Sequence, residues 1–161
     1  MTYYNRKSIR IPNYDYSTCN YYFLTICTHN RRCIFGNPGK LNQFGRIAES
    51  HILQLEKHYQ GLLVEKYVVM PNHIHMIIQL EDHSQVPDIR QVMAQYKSGV
   101  SREIRKNDQS INVWQRSFHD HIIRNQKSFE NIWLYIEGNP QCWEKDCFYV
   151  DQSVLLNGNH V

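Results

Sequence analysis

The sequence predicts an α+β fold in which an antiparallel sheet has two helices on one face and a third helix near the other. Short runs of aromatic and β-branched residues alternate with longer segments whose apolar residues recur at helical spacing. An apolar content of 42% in 161 residues is enough for the core of one domain. We therefore expect a single domain over residues 1–161, with its core at about 20–140 and a short arm or tail at each end.

The first half of the chain reads as a strand, a helix and a hairpin. Residues 21–28, "YYFLTICT", predict a strand. Residues 41 to about 59 predict a helix that Gly61 ends, with a stripe at Phe44, Ile47, Ala48, Ile52 and Leu55. Two further strands, 62–70 and 73–80, flank Pro71-Asn72 and predict a hairpin.

The second half reads as a helix, a strand and a last helix. The second helix has an apolar stripe at Ile89, Val92, Met93, Tyr96, Val100 and Ile104. Residues 111–114, "INVW", are a short strand candidate that continues loosely through "FHDHIIR". The third helix covers about 126–138, and Pro140 ends it. The first six elements match the split βαβ, ferredoxin-like arrangement, and the third helix is an addition to it.

Composition excludes several classes of protein. No run of 18 apolar residues predicts a membrane-spanning helix, and the N-terminus lacks the apolar region of a secretory signal, so we expect a cytoplasmic protein. The five cysteines are odd in number and form no CxxC, which favours buried free thiols. No glycine falls in a GxxxxGK[ST] pattern, so no P-loop is predicted.

Basic residues are clustered although the net charge is only +3. Aromatic residues lie among these clusters, and phosphate contacts combined with base stacking need that mixture. A solvated charged surface would look similar, so both interpretations stay open. The candidate DNA contacts are Arg6, Lys7, Arg10, Arg31, Arg32, Lys97 and Arg102.

Two histidines lie one residue apart in the predicted strand "HIHMIIQL". Side chains alternate along a strand, so His73 and His75 share one face. The opposite face is continuously apolar and must receive the two helices, which leaves the histidines on a wetter face. Two imidazoles at this spacing suit a divalent metal. A polar face that carries histidines by chance is the alternative, since His119 and His121 form a second such pair.

The third helix offers a tyrosine and an asparagine in "YIEGNP". Tyr135 and Asn139 are four residues apart and lie on the same side of the helix. A helix near the free face of the sheet could bring the Asn139 oxygen to a metal and Tyr135 to its ligand. The alternative is a packing tyrosine and a helix-ending asparagine. Tyr96, by contrast, lies in the middle of an apolar stripe, which favours a core role.

Four separated motifs resemble one family in the right order. "VVMPNHIHMII" resembles the His-hydrophobic-His motif of HUH-superfamily single-tyrosine transposases. The N-terminal "RKSIRIPNYDYS" and "YYFLTICTHNRRCIFG" are similar to REP-associated tyrosine transposases (RAYTs), as are "VWQRSFHDHIIRN" and "YIEGNP" with "WEKD". The resemblance covers nearly the whole chain. The segment after Asp146 carries no signal of its own.

The resemblance implies a function and assigns residues to it. It implies metal-dependent cleavage and rejoining of single-stranded or hairpin DNA through a 5′-phosphotyrosine intermediate. Tyr135 matches the nucleophile, while His73, His75 and Asn139 match the ligands of a divalent ion, Mg²⁺ or Mn²⁺. His121 matches a family histidine that shapes the site or contacts DNA, although a structural role is open. Relatives in the wider superfamily act as dimers, so a homodimer is a further expectation.

Other functions remain compatible with the sequence. A domesticated relative would bind hairpin DNA without cutting it. A metal-dependent hydrolase of another class would use His73 and His75 but not Tyr135. A structural protein would bind no metal at all.

Overall fold

The structure is a computed structural model that describes residues 11–82, 85–86 and 88–151. Its strands are β1 (Asn20–Cys27), β2 (Gly36–Asn37), β3 (Lys40–Leu41), β4 (Leu62–Val69), β5 (His73–Leu80) and β6 (His119–Ile123). Its helices are α1 (Gln43–Leu53), α2 (Leu55–His58), α3 (Ile89–Ile104) and α4 (Gln126–Gly138). Two 3-10 turns cover His29–Arg31 and Trp143–Lys145.

The main sheet has four antiparallel strands in the order β4-β5-β1-β6. The central pair is β5 and β1, which run side by side over their full lengths. Strands β2 and β3 form a separate small hairpin. The strand order confirms the predicted ferredoxin-like arrangement, in which β1 and β4 flank a later strand.

The main core lies between the sheet and the helices α1 and α3. Alternate residues of β5 are fully buried in it, as the period of two predicts. Both helices begin at capped ends, because the side chains of Asn42 and Asp88 accept hydrogen bonds from the backbone N–H groups of Gly45 and Arg90. The core residues on these three elements include Ile74, Met76, Ile78, Ala48, Ile52, Val92, Met93, Tyr96 and Val100.

Helix α4 covers the other face of the sheet. Its predicted bounds agree with the structure, and its stripe packs on Ile77 of β5 and Ile123 of β6. The stripe consists of Phe129, Ile132, Trp133 and Ile136. Within the described residues, none of these helices has both the length and the apolarity that crossing a bilayer requires.

Two predicted elements differ from the structure. The first predicted helix divides at Gln54 into α1 and the single turn α2. The segment "INVW" is not a strand, because only Trp114 makes a bridge, to Thr28. Trp114 instead packs against Phe35 and Tyr96 and donates its indole N–H to the carbonyl of Lys97. Packing of this large side chain decides the local backbone there.

Two neighbouring residues of α1 give a direct test of this core. Ile52 is 0% exposed and Leu53 is 58% exposed. Replacing Ile52 by Ala should lower the free energy of unfolding by about 3 kcal/mol, because it leaves a cavity. Replacing Leu53 by Ala should change it by less than about 0.5 kcal/mol. Urea denaturation measures both values, and equal losses would contradict this packing.

Candidate metal and tyrosine site

The two β5 histidines face away from the main core, as alternation predicts, but they are not in a wet environment. His73 and His75 are 0% and 1% exposed, and their ring centroids lie 4.5 Å apart. They lie opposite Cys27 and Thr25 of β1. The prediction of a wetter face was wrong, because distant parts of the chain cover this face.

The cover consists of α4 and the segment that follows it, residues 142–149. The Tyr135 ring lies 5.2 Å from the His75 ring, and the Phe148 ring lies 4.6 Å from the His73 ring. Trp143 is 6.0 Å from His73. The sequence offered no prediction for the segment after Asp146, yet Phe148 helps to exclude water from both imidazoles.

Each imidazole is held at its Nδ1 atom by a neighbouring side chain. His73 Nδ1 is 2.9 Å from Asn72 Oδ1. His75 Nδ1 is 2.8 Å from the Thr25 hydroxyl. The Nε2 atoms are thereby left for the centre of the site. His75 Nε2 faces the Tyr135 hydroxyl at 3.2 Å, and His73 Nε2 has no hydrogen-bond partner among the described residues.

Oxygen atoms from beyond α4 complete the cluster. Asp146 Oδ2 accepts a hydrogen bond from Asn139 Nδ2 at 2.7 Å and lies 3.9 Å from His73 Nε2. One ligand atom from each of His73, His75 and Asp146 lies within 4.8 Å of the other two. Asn139 Oδ1 is buried and, among the described residues, has no hydrogen-bond partner.

These donor atoms fit a divalent cation. A buried polar atom without a partner is costly in a folded protein. His73 Nε2 and Asn139 Oδ1 are two such atoms, and both present lone pairs beside a buried carboxylate. Imidazole nitrogens combined with carboxylate and amide oxygens are ligands for divalent metals. The predicted pair of histidines stays a candidate metal site, and Asp146 joins the candidate ligands.

Tyr135 lies at the edge of this cluster and is reachable from solvent. Its residue is 43% exposed, while its hydroxyl points toward His75. Burial of the hydroxyl, and next the Asp146 carboxylate, raise the pKa of Tyr135 to about 12. The phenol is therefore neutral at pH 7 in the metal-free protein. Tyr96 is buried and donates to the carbonyl of Ala48, which agrees with its predicted core role.

Burial also lowers the pKa of both histidines. The pKa of His73 falls to about 4, although the Asp146 carboxylate opposes the shift. The pKa of His75 falls well below its ordinary value because of burial and, next, the charge of His73. Both imidazoles are thus neutral near pH 7, which is the form that binds metals.

These shifts predict acid sensitivity of the metal-free protein. Between pH 6.5 and about 4 the unfolded chain binds protons at His73 that the folded protein does not. The stabilisation is therefore complete above pH 6.5 and is lost as the pH falls toward 4, by roughly 3 kcal/mol for His73. Urea denaturation at pH 6.5 and 4.5 should show the loss. His73→Gln should reduce it, His119→Ala should retain it, and a flat wild-type profile would contradict the prediction.

The candidate DNA contacts fall into different surroundings. Arg6, Lys7 and Arg10 lie outside the described residues. Arg31 lies beside the site, where it donates to the carbonyl of Cys147 and stacks over Phe148 at 5.2 Å. Arg32 is exposed nearby.

The remaining candidates are on α3 and β6. The Lys97 side chain makes structural contacts within the fold, because its ammonium donates to the carbonyls of Gln115 and Ser117. Arg102 is exposed on α3. His121 is exposed on β6 opposite Phe23, and therefore lies on the same sheet face as the buried histidines. Its role stays a prediction.

Sequence reasoning missed three residues of the site. Asp146, Thr25 and Asn72 contact the histidines or Asn139, but no spacing rule connects them. The position of Asn72 immediately before His73 was the available signal. Thr25 can be identified as a neighbour of His75 only when the register of β1 against β5 is known. The position of Asp146 can be predicted only when the path of the chain after Pro140 is known.

Comparison with known proteins places this chain and its fold in the class of DNA transposases. Residues 15–139 match the family described as "Transposase IS200 like". That match covers more than half of the chain, so the chain belongs to the IS200-like transposase family. The five cysteines, all within the described residues, are free thiols, but the prediction that they are buried was wrong except for Cys27, because the others lie in loops and turns or at the surface.

Two proteins of Haemophilus influenzae (strain Rd) are similar in sequence. An uncharacterized protein is 33% identical over 171 residues, which cover 92% of this chain and 95% of that protein. A protein assigned as a REP-associated tyrosine transposase is 29% identical over 136 residues, covering 78% and 73%. The resemblance that the four motifs carry is thereby confirmed.

Two solved structures share the fold. One is a REP-associated tyrosine transposase bound to a REP hairpin, with a TM-score of 0.66 and 21% identity, covering 94% of this chain and 88% of that one. The other is a Deinococcus radiodurans R1 protein assigned as a transposase, with a TM-score of 0.51 and 16% identity, covering 80% and 95%.

Proposed function

We propose that this transposase cleaves and rejoins single-stranded DNA at hairpin-forming palindromes, with Tyr135 as the nucleophile and a divalent ion as cofactor. The observation that carries the proposal is the contact between the Tyr135 hydroxyl and His75 Nε2 at 3.2 Å. It joins an accessible tyrosine to a buried set of ligand atoms that fits a metal. The whole molecule is one transposase domain in this proposal.

His73, His75 and Asn139 would hold the ion, and Asp146 is a fourth candidate ligand. Their nitrogen and oxygen atoms suit Mg²⁺ or Mn²⁺, with the two imidazoles favouring Mn²⁺. When bound, the ion would polarise the scissile phosphate and stabilise its developing charge. His73 Nε2 and Asn139 Oδ1 are already free of other partners among the described residues.

The residues of the chain hold the tyrosine ready for attack on phosphorus. The Tyr135 oxygen would form a bond to phosphorus, the bond to the 3′ oxygen would break, and a 5′-phosphotyrosine and a 3′-hydroxyl would result. The phosphodiester energy is kept in the new bond, so rejoining needs no nucleotide. The phenol, whose pKa is raised to about 12, loses its proton in this step, and the leaving 3′ oxygen takes up one proton to become the hydroxyl.

Hairpin DNA is the proposed partner. The similar structure at TM-score 0.66 is described as bound to a REP hairpin. In this chain Arg31, Arg32 and Arg102 are exposed cations that can contact phosphates. Tyr135 meets His75 within one chain, which supports packing of α4 in cis. The homodimer stays a prediction.

A covalent adduct tests this function. Single-stranded hairpin oligonucleotides copied from DNA that flanks the gene are incubated with the protein and Mn²⁺, then separated on a denaturing gel. We expect a DNA-linked protein band that chelator removes. Tight binding without a band, in Mn²⁺ or Mg²⁺, would indicate the alternative, a domesticated hairpin-binding protein. If the protein neither binds the hairpins nor forms a band, the proposed function is not supported and only the fold remains.

A further inference from the structure

We infer that Asn72 is a positioning residue that fixes the tautomer of His73, so that His73 Nε2 keeps its lone pair for the metal. Asn72 lies in the tight connection between β4 and β5 and is 1% exposed. The inference rests on the proposed metal site. Asn72 is not itself a candidate metal ligand.

The orientation of the Asn72 amide follows from its partners. Asn72 Nδ2 donates to the carbonyl of Arg31 at 3.1 Å and to the carbonyl of Phe148 at 2.8 Å. Carbonyl oxygens accept hydrogen bonds and cannot donate them, so the NH₂ group must face these two atoms. Oδ1 is then the atom that faces His73, 2.9 Å from Nδ1.

The orientation of the amide decides where the imidazole proton lies. Asn72 Oδ1 can only accept, so His73 Nδ1 must donate and carries the proton. A neutral imidazole has one N–H group, and Nε2 is therefore unprotonated. This is the buried atom that, among the described residues, has no hydrogen-bond partner. Asn72 thus prepares a metal-binding lone pair before any ion arrives.

The second histidine lacks this control. His75 Nδ1 is 2.8 Å from the hydroxyl of Thr25, and a hydroxyl can donate or accept. The tautomer of His75 therefore depends on what faces its Nε2, which is the Tyr135 hydroxyl here. Only the tautomer of His73 is fixed before a metal binds, because both N–H donors of the Asn72 amide are already hydrogen-bonded to backbone carbonyls.

The backbone of Asn72 is held as firmly as its side chain. Its carbonyl accepts from the backbone N–H of Thr28 at 2.9 Å and, at 3.0 Å, lies within reach of the Thr28 hydroxyl, which also faces the carbonyl of Arg32 at 2.8 Å. A flip of the side-chain amide would lose both Nδ2 hydrogen bonds and the acceptor that faces His73 Nδ1. Such an outer residue, which orients a ligand from behind, commonly affects metal affinity by 10–100-fold, as a rough range.

Three variants of the full chain separate positioning from stability. Asn72→Leu removes the acceptor and both donors. Asn72→Asp keeps an acceptor toward His73 Nδ1 but loses the two donors, and Thr28→Val loses a buried hydrogen bond in the same connection without touching the imidazole. Long-range ¹H–¹⁵N correlation spectra of the metal-free protein report the His73 tautomer. Calorimetric titration with Mn²⁺ reports the affinity.

We expect an Nδ1-protonated His73 in the wild type, in Asn72→Asp and in Thr28→Val. Asn72→Leu should show a mixture of tautomers and an affinity for Mn²⁺ that is lower by about 10–100-fold. Asn72→Asp should bind Mn²⁺ at least as well as the wild type, although it is less stable. If Asn72→Leu does not fold, an Asn72→Asp protein with an Nε2-protonated His73 would still overturn the inference.

The outcomes distinguish this inference from the function on which it rests. A wild type in which His73 is protonated at Nε2 overturns the role of Asn72. Unchanged tautomer and affinity in Asn72→Leu do so as well. A wild type that binds no Mn²⁺ overturns the proposed metal site, while the spectra of the metal-free protein still decide whether Asn72 sets the tautomer.

Discussion

Replacement of Tyr135 by Phe should abolish the covalent protein–DNA adduct and reduce strand cleavage by at least about 1,000-fold. The variant removes only the hydroxyl oxygen, which lies 3.2 Å from His75 Nε2. The ring contact with His75 and the packing against Phe23 are kept. Hairpin affinity should therefore stay near the wild-type value. The adduct gel and a filter-binding titration measure the two quantities separately.

Tyr96→Phe is the matched control for this variant. Tyr96 also loses one hydroxyl, whose partner is the carbonyl of Ala48 in the main core. This change should cost about 1 kcal/mol of stability and leave the adduct intact. An adduct that persists in Tyr135→Phe would show that another residue is the nucleophile. Loss of the adduct in both variants would indicate general destabilisation instead.

Replacement of His73 by Ala should weaken Mn²⁺ binding by about 100-fold or more and should remove the adduct together with it. His73 Nε2 is buried 3.9 Å from Asp146 Oδ2 and has no hydrogen-bond partner among the described residues. Its loss therefore removes a ligand and leaves the Asp146 carboxylate without its nearest imidazole. Calorimetry with Mn²⁺ measures the affinity in the absence of DNA, so the result does not depend on catalysis.

The second His-x-His pair supplies the control. His119 and His121 are exposed on β6 and share the sheet face of the buried pair. Alanine at His119 should leave the Mn²⁺ affinity unchanged, because an exposed imidazole on an edge strand lacks the buried oxygen ligands. Equal losses in His73→Ala and His119→Ala would place the metal elsewhere. Tyr135→Phe should bind Mn²⁺ normally, which separates the nucleophile from the ligands.

Much of the fold could be predicted because its elements follow local patterns. The bounds of α3 and α4 agree with the apolar stripes of the sequence, and the hairpin of β4 and β5 follows from the Pro71-Asn72 break. The strand β6 was harder to place, since Trp114 stands in an apolar run that packs without forming a strand. Large side chains there respond to tertiary neighbours rather than to strand alternation.

The candidate site could be predicted only in part. Alternation along β5 put His73 and His75 on one face, and helical spacing put Tyr135 and Asn139 on one side of α4. The resemblance to REP-associated tyrosine transposases then predicted that the two pairs of residues form one site. Neither argument gave Asp146 a role, although it is the last residue of the "WEKD" motif, because a carboxylate seven residues after Asn139 has no fixed position until the chain turns back over the sheet.

The sequence by itself determined which way each histidine points, since that depends only on the period of a strand. The tertiary structure decided that both are buried, because α4 and residues 142–149 come from more than 50 positions further along the chain. It also decided their chemistry. The lowered pKa of each imidazole and the free Nε2 of His73 arise from residues of β1, the β4–β5 connection and the segment after α4, which only the folded chain brings together.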